Sequence, residues 1–233
     1  MKKIFISGIS KGIGAETAKK LQKKYEVYGS TSNLQKYLKN MDKSSLPVNN
    51  IVEINFNTTL KLEEINLKLN KLPPDINVLI NNAGIAHFSP FLESSLAEMK
   101  EQMSINFYSA FLLTKQFLPS MVLQNNGLII NILSVAALKA FEFASLYSAT
   151  KSAMASLFDS IREEVRDNNI KITNIYLGAT NTGLWDEKSR IEFGKQMIKP
   201  AQVAKVIDSV ITLSKEKEMM LEEIIIRPQY GDL

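Results

Sequence analysis

The sequence predicts an α/β architecture: a doubly wound, seven-stranded, mainly parallel sheet with helices on both faces. Three observations point there. Strand and helix patterns alternate along all 233 residues. The strand segments are continuous apolar runs, as in residues 127–133, and such runs mark strands covered on both faces. The first strand passes through a glycine-rich turn straight into a helix.

Residues 3–7 read as a short buried strand ending at glycine. Gly8-Ile9-Ser10-Lys11-Gly12-Ile13-Gly14 follows, and residues 15–21 carry a helical pattern. Glycines let the backbone approach a pyrophosphate, and a helix start offers N–H groups and a positive dipole end. Residues 26–30 form a second strand, ending in Thr31-Ser32-Asn33. Many NAD sites hold the ribose 2′-hydroxyl with a carboxylate at this point; here there is none, while Lys11 sits inside the glycine turn. That pairing favours NADP(H) over NAD(H).

Residues 34–41 read as a short helix, 50–55 as a third strand, and 58–72 as a helix in which Leu60, Ile65, Leu69 and Leu72 recur mostly on helical spacing. A fourth strand, 77–80, runs into Asn81-Asn82-Ala83-Gly84, where asparagines at a strand end brace a turn or touch a ligand. Residues 94–124 are helical, with a break or kink expected at Pro119. The fifth strand, 127–133, ends before Ser134. A helix over 144–166 follows, then a sixth strand over 170–177, a polar stretch over 181–199, a helix over 201–213 opened by Pro200, and a last strand over 222–227. No break in composition divides the chain, so residues 1–233 read as one domain.

The bulk properties narrow the function. A hydrophobic share of 45% specifies a globular chain. The absence of cysteine excludes disulfides and thiolate chemistry and suits a reducing compartment, here the cytoplasm. The only histidine, His87, leaves no His-based metal cluster or Ser-His-Asp triad, and no metal is expected. The net charge of +4 is spread over lysine pairs on polar helix faces, a solvated surface rather than a nucleic-acid site. The apolar run after Met1-Lys2-Lys3 is too short for a signal peptide, and no stretch is long enough to cross a membrane.

Within the 144–166 helix, Tyr147 and Lys151 stand four apart and share a face. A nearby ammonium favours phenolate, so the spacing predicts a tyrosine pKa below its usual value of about 10 and a phenol able to act as a general acid–base. Alone, such a pair is commonplace. Together with four other stretches it resembles the short-chain dehydrogenase/reductase family, in its compact single-domain form. Ser7-Gly8-x-x-x-Gly12-x-Gly14 is similar to the family's Thr-Gly-x-x-x-Gly-x-Gly. Asn81-Asn82-Ala83-Gly84, Asn106, Ser134 placed 13 residues before Tyr147, and Tyr147-x-x-x-Lys151 supply the rest. Leu177-Gly178 stands where the family usually has Pro-Gly, and Leu133 and Ala137 replace common Ser and Gly.

The resemblance implies a Rossmann-type domain that transfers hydride between NADP(H) and a small carbonyl or alcohol. It implies Asn106, Ser134, Tyr147 and Lys151 as catalytic residues. The implied cofactor contacts are Gly8, Ser10, Lys11, Gly12, Ile13, Gly14, Thr31, Ser32, Asn55, Phe56, Asn82, Ala83, Gly84, Tyr147, Lys151, Gly178, Thr180 and Thr182. It also implies a substrate lid over 181–199 and a homodimer or homotetramer paired through helices 94–124 and 144–167. Phe141, Phe143, Leu184 and Trp185 fall near the substrate, as pocket walls or as lid packing. Two alternatives stay open: a narrower one, a 3-oxoacyl-carrier-protein reductase, and one of a different class, a non-catalytic NADP-sensing regulator.

Overall fold

The computed structural model describes residues 2–57 and 62–232. Among these, the strands are β1 (Lys3–Ile6), β2 (Glu26–Thr31), β3 (Ile51–Glu53), β4 (Val78–Asn81), β5 (Gly127–Ser134), β6 (Ile170–Leu177) and β7 (Glu223–Ile226). The helices are α1 (Gly12–Leu21), α2 (Leu34–Lys39), α3 (Leu62–Leu69), α4 (Leu96–Met103), α5 (Ser109–Leu123), α6 (Ser145–Val165), α7 (Glu187–Phe193) and α8 (Pro200–Leu213). The sheet order is β3-β2-β1-β4-β5-β6-β7, and every neighbouring pair is parallel. The order reverses between β1 and β4, which opens a crevice at their carboxyl ends, where open α/β sheets bind ligands.

The apolar strands bury both faces. On one, Phe5, Leu79, Ile129 and Tyr176 pack with Leu113 and Phe117 of α5 and Phe158 of α6. On the other, Ile4, Ile6, Ile80 and Ile130 pack with Leu21 of α1 and Val203, Ile207 and Ile211 of α8. Adjacent residues of one strand serve opposite cores, as period-two geometry requires. Asp208 of α8 ties that layer to α1, 3.3 Å from Lys20 and 2.8 Å from Lys24.

A buried amide ladder crosses the sheet. Asn81 Nδ2 donates to Asn131 Oδ1 and Asn131 Nδ2 to Asn174 Oδ1, each at 2.9 Å. Asn174 Nδ2 then reaches Asp159 Oδ1 of α6, also at 2.9 Å. Buried polar groups need such partners, and these tie the end of β4 to the middle of β5 and β6.

Three details differ from the sequence reading. The 94–124 helix is not interrupted at Pro119, since α5 runs through it to Leu123. The irregularity comes earlier, as one π-helical turn over Ser104–Tyr108 that joins α4 to α5. The polar stretch 181–199 contains α7, whose Asp186 caps Ser189 N–H at 2.9 Å. Of the helix expected over 58–72, Thr58 and Leu60 lie outside the described residues.

Candidate active site

The glycine turn is built onto the end of β4. Gly8 and Gly12 have φ of +74° and +61°, a left-handed conformation that glycine adopts without strain. Ser7 Oγ accepts the N–H groups of Asn82 and Ala83, both at 2.9 Å. Asn82 Nδ2 donates back to the carbonyls of Ser7 and Gly8 at 2.9 and 3.0 Å. A Cβ on Gly14 would stand 2.1 Å from Gly8 O and 2.5 Å from Asn82 Nδ2, so only glycine fits. α1 begins here with no side-chain cap and no acidic residue in its first turn. Its first N–H groups are orphans with a positive dipole end behind them.

A cavity of about 690 Å³ opens along the carboxyl ends of the strands. One end is lined by Gly8, Ser10, Lys11, Gly12, Ile13, Thr31, Ser32, Asn55 and Phe56, the middle by Asn82, Ala83 and Gly84, and the β6 side by Gly178, Thr180 and Thr182. Ser10 Oγ and Thr31 Oγ1 are 2.6 Å apart. Gly178 packs so closely on Pro228 that a Cβ would lie 2.8 Å from its Cδ, which favours glycine at this position.

Ser134 ends β5, and Tyr147 and Lys151 lie on the face of α6 turned to it; all three line the cavity. Tyr147 is 7% and Lys151 4% exposed. Lys151 Nζ donates to Ile132 O at 2.9 Å and lies 5.8 Å from the centre of the Tyr147 ring. Burial pushes the Tyr147 phenol up to about 12, opposed by a hydrogen bond from Ser134. Burial also pulls Lys151 down to about 8. This corrects the expectation of a lowered tyrosine pKa: burial of the phenol outweighs the hydrogen bond from Ser134.

Two of the expected site residues stand behind the cavity wall. Gly14 lies under the turn. Asn106, in the π-helical turn and fully buried, accepts from Ile85 N at 2.8 Å and donates to Ile85 O and Thr150 Oγ1, both at 2.9 Å. Thr150 Oγ1 donates in turn to Tyr147 O at 2.8 Å, so Asn106 braces both the α6 turn and the loop after Gly84.

Phe141, Phe143, Leu184 and Trp185 line the far end of the cavity. Phe88, Glu142 and Asp232, which the motifs did not identify, line it with them. The signal available for Phe88 was its position, an aromatic residue four places after the Asn-Asn-Ala-Gly turn. His87 pairs instead with Glu101, Nε2 to Oε2 at 3.2 Å.

Residues 2–192 match the model of a family described as short chain dehydrogenase. A sepiapterin reductase of Chlorobaculum tepidum is 32% identical over 158 residues, covering 68% of this chain and 64% of that protein's length. An uncharacterized oxidoreductase of Staphylococcus saprophyticus is 31% identical, covering 100% of this chain and 98% of its own. Among solved structures, an alcohol dehydrogenase of the archaeon Thermococcus sibiricus, complexed with 5-hydroxy-NADP, superposes with a TM-score of 0.84. It is 23% identical, with 100% of this chain and 99% of that chain covered.

Proposed function

The chain belongs to the short chain dehydrogenase family of oxidoreductases, and on that premise we propose that it transfers hydride between NADP(H) and a small carbonyl or alcohol substrate. The observation that carries this reading is the grouping of Ser134, Tyr147 and Lys151 on one wall of the cavity. Residues fit for a dinucleotide line another part of it. The uncapped N-terminus of α1 suits a pyrophosphate. Lys151 gives one hydrogen bond to Ile132 O, and an ammonium has donors left for ribose hydroxyls. When bound, the nicotinamide supplies the hydride.

The side chains supply the proton and its control. With its pKa raised to about 12, Tyr147 holds its proton at neutral pH and is loaded as the acid for carbonyl reduction. Ser134 donates to the same oxygen site and favours negative charge there. Lys151 keeps a positive charge beneath them below about pH 8. Ser10, Thr31 and Ser32 would receive the 2′-end of the cofactor, with Lys11 as the cation that prefers a phosphate. Lys11→Ala is expected to weaken NADPH binding by about tenfold or more and leave NADH nearly unchanged in paired titrations. Equal loss for both cofactors would remove Lys11 from that role.

Under this reading residues 181–199 act as the substrate lid of a single domain, α4–α5 and α6 pair two or four copies, and the protein works in the cytoplasm. Among the described residues, no helix is long and apolar enough to cross a membrane. The function is tested by Tyr147→Phe, which should keep the fold and NADPH affinity and lose nearly all turnover. Turnover near the wild-type rate would sink the mechanism.

A further inference from the structure

Beyond Tyr147 the cavity is walled by aromatic rings. Phe88 meets the Tyr147 ring edge-on, with centres 5.7 Å apart and planes at 67°. It also stacks on Trp185, with centres 6.0 Å apart and planes at 29°. Phe88 is 45% and Phe143 50% exposed, although both line the cavity that holds Tyr147. Scattered exposed apolar residues are ordinary; several converging on a buried acid–base mark a binding surface.

The placement of Phe143 is strained. Its φ of +63° is rare for a bulky side chain, and such outliers persist only where neighbours enforce them. Phe143 O accepts the N–H of Ser89 at 3.0 Å, which ties the loop bearing Phe143 to the loop bearing Phe88. The two walls are thereby held in one arrangement.

The lining carries two lysines, Lys11 and Lys151, and three carboxylates, Glu142, Asp186 and Asp232. Asp186 is occupied as the cap of α7, with Ser189 N and Oγ at 2.9 and 2.6 Å. Asp232 is held by Lys139 at 2.5 Å and by Arg227. Lys139, behind this wall, also lies 4.7 Å over the Phe141 ring. Among the described residues Glu142 has neither an ion pair nor a hydrogen bond, so it is the carboxylate left for a ligand.

We propose that this site, read as a carbonyl reductase, selects a flat aromatic ketone or aldehyde. Its ring lies against Phe88, Phe143 and Trp185, and its far end carries an ammonium or N–H donor toward Glu142. Aromatic stacking rewards flat rings over saturated ones, and a single open carboxylate rewards a donor and repels an anion. The inference rests on the proposed function for the position of the carbonyl, and on the chamber alone for the rest of the ligand.

Trp185 is the only tryptophan of the chain, so its fluorescence reports directly from this wall. The intact protein with saturating NADP⁺, which permits no reduction, is titrated with four ketones: para-methylacetophenone, para-(aminomethyl)acetophenone, para-acetylbenzoate and cyclohexyl methyl ketone. para-Methylacetophenone should bind about tenfold tighter than cyclohexyl methyl ketone. The aminomethyl compound should bind about fivefold tighter than the benzoate. Phe88→Leu should erase the first preference and Glu142→Gln the second, with melting temperature and NADP⁺ affinity at wild-type values. Equal binding of aromatic and saturated ketones, tighter binding of the benzoate, or no response of Trp185 to any aromatic probe would overturn the inference. Failure of the reductase reading looks different: the same binding preferences, with no reduction of any probe by NADPH.

Discussion

Tyr147 and Lys151 show how far a spacing carries and where it stops. Four residues on a helix put both groups on one face, and both line the cavity. The direction of the tyrosine shift was not legible, because it depends on burial, and burial depends on β5 and the loops that close over α6. Lys151 carries a consequence for stability. Its folded pKa of about 8 lies below the ordinary lysine value of 10.5, so between those values the unfolded chain binds more protons and stability rises with pH. Below about pH 8 the full cost of the buried charge is present, up to about 3 kcal/mol. Lys151→Met removes that cost and leaves Ile132 O without its donor, for a net gain of about 1–2 kcal/mol near pH 7. Melting curves should show the gain shrinking as pH rises from about 8 toward 10.5. A gain independent of pH would mean that Lys151 is not the group responsible.

At the scale of elements, legibility followed locality. The glycine turn was readable because glycine answers a backbone demand: Gly8 and Gly12 take positive φ, and Gly14 has a carbonyl where a side chain would begin. Gly14→Ala should therefore push the turn off β4, destabilising the protein by at least about 2 kcal/mol and abolishing dinucleotide binding. Calorimetry and a cofactor titration read the two effects, and a Gly14→Ala variant with normal affinity would contradict the close contact. What the sequence concealed came from tertiary packing. Pro119 marks a break by local rules, yet α5 passes through it, and the irregular turn falls at Ser104–Tyr108, where Asn106 is needed between Ile85 and Thr150. Phe88 carries no motif, and Phe143 shows nothing of its left-handed backbone until Ser89 is placed beside it.

At the scale of the molecule, the sheet order brings segments far apart in sequence to one edge. The turn after β1, the Asn-Asn-Ala-Gly turn after β4, Ser134 at the end of β5 and Gly178 after β6 all open on one cavity. Alternation of apolar runs with helices was enough to predict that layout, since parallel strands need crossover helices on both faces. The Asn81–Asn131–Asn174 ladder was not predictable from alternation, although it links three of those strands in register. The proposed hydride transfer at this edge, with Tyr147 proposed as the proton donor, is tested most directly with NADPH deuterated at the transferable position of its nicotinamide. The labelled cofactor is mixed with the protein and a panel of aryl ketones and aldehydes. Wild-type protein should give product alcohols carrying one deuterium on the carbinol carbon, and a folded, NADPH-binding Tyr147→Phe variant almost none. Labelled alcohol formed equally well by that variant, or no labelled alcohol from any carbonyl with folded, NADPH-bound wild type, would contradict the mechanism.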